Sequence, residues 1–123
     1  MPHIVVVILV ALVALEHLYF LYLEMFRWTY PATRRAFGLT AEFAEQSKSL
    51  AANQGLYNGF LAAGLLWSLL HPDHAVAYQL QLFFLGCVLV AALYGGWSVK
   101  RSILLMQGLP ALAALIAVLL ATQ

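Results

Sequence analysis

Four stretches of about twenty mostly apolar residues run through this chain, at 3–26, 50–70, 76–97 and 102–121. A helix of about twenty apolar residues crosses the roughly 30 Å hydrocarbon core of a bilayer. The spacing therefore predicts an all-α fold: an integral membrane four-helix bundle, with residues 1–123 forming a single transmembrane domain. Composition removes the soluble alternatives. The chain is 64% hydrophobic and 9% charged, whereas average globular chains are about 25% charged. It lacks the polar shell of a cytosolic enzyme or a disordered adaptor. Six cations against five acids, with no basic run longer than Arg34-Arg35 or Lys100-Arg101, give no electrostatic footprint for nucleic acid. A single cysteine, Cys87, excludes an intrachain disulfide and a multi-cysteine zinc site, and at mid-span it reads as a small hydrophobe.

The connections order and orient the spans. Residues 71–74 read His-Pro-Asp-His, a tight turn that leaves spans two and three antiparallel neighbours. Two imidazoles flanking a turn fall short of a closed metal ligand set, so no metal site is assigned. The long connection, 27–49, carries Thr40 as a helix cap with Glu42 in the following turn. It predicts a short interfacial helix running into the second span. All six cations (Arg27, Arg34, Arg35, Lys48, Lys100 and Arg101) fall in the first and third connections. The positive-inside rule makes that side cytoplasmic and both termini extracytoplasmic in a multi-pass cell-membrane protein. The first span has no cationic leader and contains Glu16, His17 and Glu24, so it is expected to remain attached rather than be cleaved as a signal.

Ionisable groups in hydrocarbon cost about 2.5–3.5 kcal/mol each on insertion scales, so they face a bundle interior and mark function by default. Glu16, His17, Phe20, Glu24 and Arg27 share one arc of the first span, and Asn53, Gln54, Tyr57 and Asn58 share one arc of the second. At 1.5 Å per residue, Glu16 lies about 15 Å from the cytoplasmic end of its helix and Asn58 about 12 Å from the cytoplasmic end of its own. The two are expected to meet, with Glu24 near the level of Asn53 and Tyr94 and Gln107 contributed by the other spans. This predicts a polar pocket in the cytoplasmic half of the membrane, Gln79 and Gln81 being outer exceptions. Glu16 and His17 are its candidate catalytic pair, through carboxyl and imidazole acid-base chemistry. Glu24, Asn53, Gln54, Tyr57 and Asn58 are its candidate ligand-binding set. The same amides also suit interhelical hydrogen bonding, and Gly55-x-x-x-Gly59 suits close helix packing. Glu24 and Arg27 are spaced for an interfacial ion pair, and Pro110 for a kink in the fourth span.

The runs Ala14-Leu-Glu-His-Leu-Tyr-Phe-Leu-Tyr-Leu-Glu-Met-Phe26 and Asn53-Gln-Gly-Leu-Tyr-Asn-Gly-Phe-Leu-Ala-Ala-Gly-Leu65 resemble signature segments of the family described as domain of unknown function 1304. That resemblance covers essentially the whole chain and implies a four-span protein without naming an activity. More distantly, the order of features resembles the membrane-associated proteins in eicosanoid and glutathione metabolism, which implies trimers with a ligand site in the cytoplasmic half of the membrane. In that superfamily the second helix carries Arg-x-x-x-Asn-x-x-Glu. Here Asn53 takes the asparagine place, while Ser49 and Leu56 stand where the arginine and the acid would be.

Three functions fit these residues. The first is a protein that binds or processes a small amphiphilic or lipid-like molecule, with Glu16 and His17 at the chemistry. The second is a carrier of protons, metal ions or small cations, with Glu16, His17 and Glu24 as relay or ligands; the apolar outer halves of the spans count against it. The third is a structural or assembly subunit. Membrane lipids and further copies of the chain are the expected partners, and no residue pattern specifies a cofactor.

Overall fold

The computed structural model describes residues 3–121, and every regular element among them is helical. In chain order they are α1 (His3–Phe26), α2 (Pro31–Phe37), α3 (Ala41–Leu70), α4 (His74–Ser98), α5 (Arg101–Ile103), a π-helical turn (Leu104–Gly108) and α6 (Leu109–Ala121). Three helical stretches are long and apolar enough to cross a membrane: His3–Phe26, His74–Ser98 and Arg101–Ala121. Helix α3 is 30 residues long, about 45 Å at 1.5 Å per residue, but residues 41–58 of it carry Glu42, Glu45, Lys48, Asn53, Gln54 and Asn58.

Local chemistry sets these boundaries. Thr40 Oγ1 accepts a hydrogen bond from Phe43 N at 3.0 Å, which makes it the N-cap of α3. The helix it starts continues unbroken to Leu70, so the short helix expected to run into the second apolar run is the first third of α3. The separate short helix of the connection is α2. It opens with Pro31, whose missing N–H costs nothing in a first turn. It closes at Gly38, whose φ of 68° is a left-handed conformation that glycine adopts without strain. At the other turn, Asp73 Oδ1 accepts from Ala75 N at 2.9 Å and Val76 N at 3.3 Å, and starts α4 at His74. The fourth apolar run departs from regular geometry just ahead of Pro110. The π turn ends at Gly108, and the proline follows it inside the continuous helical stretch Arg101–Ala121, where a ring without an N–H cannot donate to the preceding turn and a local widening accommodates it.

The chain forms two compact parts, residues 16–60 and a second part made of 3–15 with 61–121. In the second part Val6, Val10, Val13 and Ala14 from α1 pack with Leu65 of α3, Leu85 and Val88 of α4, and Ala111, Ala114, Ala117 and Val118 of α6. The buried positions of α4 are Gln81, Leu85, Val88 and Ala92, a four-three-four spacing that keeps one seam facing its neighbours. Small residues dominate the α6 seam and let backbones approach closely, which substitutes for the hydrophobic drive that lipid surroundings remove.

The first part holds the second half of α1, the whole of α2 and α3 up to Phe60. Its α3 buries Ala44, Ala51 and Gly55, with Asn58 half-buried. A Cβ on Gly55 would lie 2.8 Å from Met25 Cγ, 3.0 Å from Glu24 Cβ and 3.3 Å from the Leu21 carbonyl oxygen. Gly55 is therefore the point of closest approach between α1 and α3, and Gly59 faces Leu21 one turn on.

Candidate functional site

Along α1 the most buried positions include Val6, Val10, Val13, His17 and Glu24. The seven-residue steps from Val10 to His17 to Glu24 keep all three on one seam. The polar residues thus occupy positions that, a turn or two earlier, are filled by valine.

Glu24 is 3% exposed, and both of its carboxyl oxygens are taken. Gln54 Nε2 donates to Oε2 and Asn58 Nδ2 donates to Oε1, each at 2.6 Å. Two carboxamides spaced i and i+4 on α3 present their N–H groups on the same side, one to each oxygen of a planar acceptor. An ionised carboxylate accepts only, so the pattern of two donors and no acceptor fits the anion. Charge-assisted bonds of this length are among the stronger ones proteins make. Gly55, between Gln54 and Asn58, brings the α3 backbone near enough for both short amides to reach.

This pairing differs from the depth expected from the sequence. Asn58 meets Glu24 rather than Glu16. The reason is that Glu24 lies two residues before the end of α1, while Asn58 lies seventeen residues after Ala41, so the first turns of α3 extend well beyond the α1 terminus. The polar arc of α3 is also split. Gln54, itself exposed, and half-buried Asn58 bond to Glu24, whereas the exposed Asn53 and Tyr57 do not; Tyr57 makes its ring contact with Phe60 at 5.7 Å. Tyr94 is exposed, and Gln107 sits half-buried in the π turn; neither belongs to this part of the chain.

Glu16 is the second polar feature. Its side chain is 23% exposed, yet Oε1 is fully buried with no hydrogen-bond partner. His17, at 1% exposure, places Nδ1 3.9 Å from that oxygen, beyond hydrogen-bond length. The His17 ring meets Phe20 edge-on at 5.3 Å. Glu24 is thus a closed cluster, whereas Glu16 offers an acceptor atom that the fold leaves unfilled.

At the end of α1 the chain leaves the apolar run through an aromatic set. Arg27 Nε donates to the Tyr22 hydroxyl at 2.7 Å, and its guanidinium lies over the Tyr30 ring at 4.2 Å. Hydrogen bonds to Tyr30 and Tyr22 hold it still more firmly protonated than an ordinary arginine. Those contacts, with the carboxylate of Glu24 already satisfied by amides, replace the expected Glu24–Arg27 ion pair. Trp28 donates its indole N–H to Ser47 Oγ at 3.0 Å and stacks near Phe37, tying the connection to both α2 and α3. Aromatic and cationic residues of this kind collect where a helix passes from lipid to water. A cavity of about 290 Å³ opens beside Glu24, lined by Met25, Trp28, Lys48, Ser49 and Ala52 among others.

The sequence carried a signal for the Glu24 cluster that helix-by-helix arcs missed: the seven-residue recurrence Val10, His17, Glu24 against the Gly55-containing stripe of α3. Nothing in the sequence indicated the Trp28–Ser47 tie, because the path of the connection depends on α2.

Comparison with known proteins places these features in a wider set. A family profile described as "Protein of unknown function (DUF1304)" matches residues 11–119. An "Uncharacterized protein YpaA" from Lactococcus lactis subsp. lactis (strain IL1403) is 36% identical over 115 residues, covering 92% of this chain and 95% of the relative. No solved structure matches the chain.

Proposed function

Since the chain belongs to the DUF1304 family, whose description states no activity, we propose from its own side chains that it is a four-span membrane protein binding a small amphiphilic molecule. The molecule's polar donor group is received by Glu16. One observation carries this reading: Glu16 Oε1 is buried and has no hydrogen-bond partner. A buried acceptor left unmade costs about 1–3 kcal/mol, more when charged, and a donor on a bound molecule removes that cost. The side chain as a whole is 23% exposed, so a turn of the carboxyl about its terminal bond brings the unpaired oxygen within reach of a donor from outside. The three apolar helices define the lipid-embedded body.

In this reading the second half of α3 forms the fourth span, and its length accommodates both a crossing and a water-facing first third. The Glu24 cluster holds α1 against α3 and sets the position of Glu16 two turns away. His17 is the group nearest to the carboxyl that can exchange a proton with it. The basic connections mark the cytoplasmic side, and association into a homo-oligomer, a trimer by resemblance to the eicosanoid and glutathione proteins, completes the reading.

Native mass spectrometry of the protein released from its own membranes tests it. The expected result is a retained small adduct on the wild type that is lost from Glu16→Gln while helix content is unchanged. The same adduct on both proteins, or on His17→Ala together with Glu16→Gln, contradicts it. Glu16-dependent proton flux in proteoliposomes replaces it with the carrier reading.

A further inference from the structure

A second cavity, separate from Glu16, occupies the part of the chain formed by residues 3–15 and 61–121. It measures about 510 Å³ and lies where the start of α1, the start of α4 and the end of α6 come together. His3, His74, Tyr78 and Gln81 supply its polar lining, and Val6 and Val118 are among its apolar walls. Gln81 is the residue that makes this more than a surface recess. It is 8% exposed, lies on the same seam of α4 as Leu85, Val88 and Ala92, and lines the cavity. A carboxamide has two donors and an acceptor, and on this otherwise apolar seam the cavity is where a partner reaches them.

The lining selects the ligand chemistry. Among the described lining residues there is no carboxylate, ammonium or guanidinium group to compensate a charged ligand. Carboxamide and phenol each both donate and accept, and an imidazole offers two ring nitrogens. The group that complements all of them at once is a hydroxyl, which also does both, and several hydroxyls together match several such partners. The apolar walls take hydrocarbon. A bare ion does not fill a space of this size, and the two imidazoles of His3 and His74, edge to face at 80° with ring centroids 6.3 Å apart, fall short of a metal ligand set.

We propose that this cavity binds an uncharged polyol group of the glycerol type, either as the headgroup of a neutral lipid or free in water. The site lies where α1 and α4 begin and α6 ends, at the end of this part of the chain remote from the basic pair Lys100-Arg101. It is independent of the Glu16 site, since none of its lining residues belongs to residues 16–60.

The test uses the full chain in phosphatidylcholine nanodiscs with a photoreactive monoacylglycerol carrying a diazirine, followed by mapping of the labelled peptides. Labelling is expected on the first two turns of α4. Loss of one partnered hydrogen bond predicts about a fivefold decrease for Gln81→Leu, and a similar one for His74→Phe. Gln81→Asn, which keeps the amide, guards against a mere loss of fold, as does an unchanged unfolding midpoint. Unlabelled monoolein is expected to displace the probe and oleate is not. Displacement by glycerol as well identifies a water-borne polyol as a competent ligand, and displacement by monoolein alone identifies the lipid. Labelling of α4 that is unchanged in Gln81→Leu, or displacement by oleate as effective as by monoolein, overturns the proposal.

Discussion

A double-mutant cycle between Glu24 and Asn58 measures the bond that joins α1 to α3. Hydrogen bonds to charged groups contribute about 1.5–3 kcal/mol in soluble proteins. Cycles within membranes average about 0.6 kcal/mol and reach about 1.7, because unfolded helices in lipid find other partners. The Asn58 bond is 2.6 Å long and its acceptor is 3% exposed, which puts it at the top of the membrane range, about 1.5 kcal/mol of coupling. The Gln54 bond has the same length but comes from an exposed residue, so a coupling of about 1 kcal/mol is expected there. Alanine variants at 24, 54 and 58, singly and in pairs, are unfolded in mixed micelles by increasing SDS while helicity is followed by circular dichroism. Asn53 and Tyr57 serve as controls: both are on the turned-away side of α3, and their coupling to Glu24 is expected within about 0.3 kcal/mol of zero. A Glu24–Asn58 coupling below that value, or an equal coupling to Asn53, refutes the reasoning.

Further outcomes follow from single positions. Gly55→Ala places a methyl group 3.3 Å from a backbone oxygen and against two side chains, so it should destabilise by about 1–3 kcal/mol. Gly86, with nothing within 4 Å of an added Cβ, should gain about 0.5–1 kcal/mol as alanine; SDS unfolding of both variants checks the contrast. Thr40→Ala removes the cap of α3 and should cost about 1 kcal/mol, seen as faster amide exchange confined to the first turn of α3. In a Cys87→Ala background, Pro72→Cys should react with an impermeant maleimide on intact cells, and Lys100→Cys only after the membrane is opened.

The apolar runs were legible because hydrocarbon tolerates few departures from a single composition, and the first, third and fourth correspond closely to helices in the structure. Helix α3 was harder. Its polar half is longer than the second apolar run suggests, because Thr40 and the absence of any breaker between 41 and 70 let one helix cross from the basic connection into the apolar run. That added length is also why Asn58, whose depth along the apolar run matches Glu16, bonds to Glu24 instead. Depth counted from the start of an apolar run misses turns that lie outside it, whereas the seven-residue step from His17 to Glu24 shows directly which residues share a seam. The caps at Thr40 and Asp73 were readable from residue type. The π turn was not: proline at 110 signals an irregularity, but the turn that absorbs it depends on how the α6 seam packs. Gln81 stood out only as an outlying polar residue, since its cavity is formed by segments far apart in sequence.

The central claim is that Glu16 keeps an unfilled acceptor for a molecule from outside the chain. A high-resolution map of the protein in native-lipid nanodiscs tests it most directly. The account predicts elongated density that ends within hydrogen-bond distance of the Glu16 carboxyl and is absent from the Glu16→Gln map. A carboxyl hydrogen-bonded to another side chain of the protein, with no such density beside it, contradicts the account.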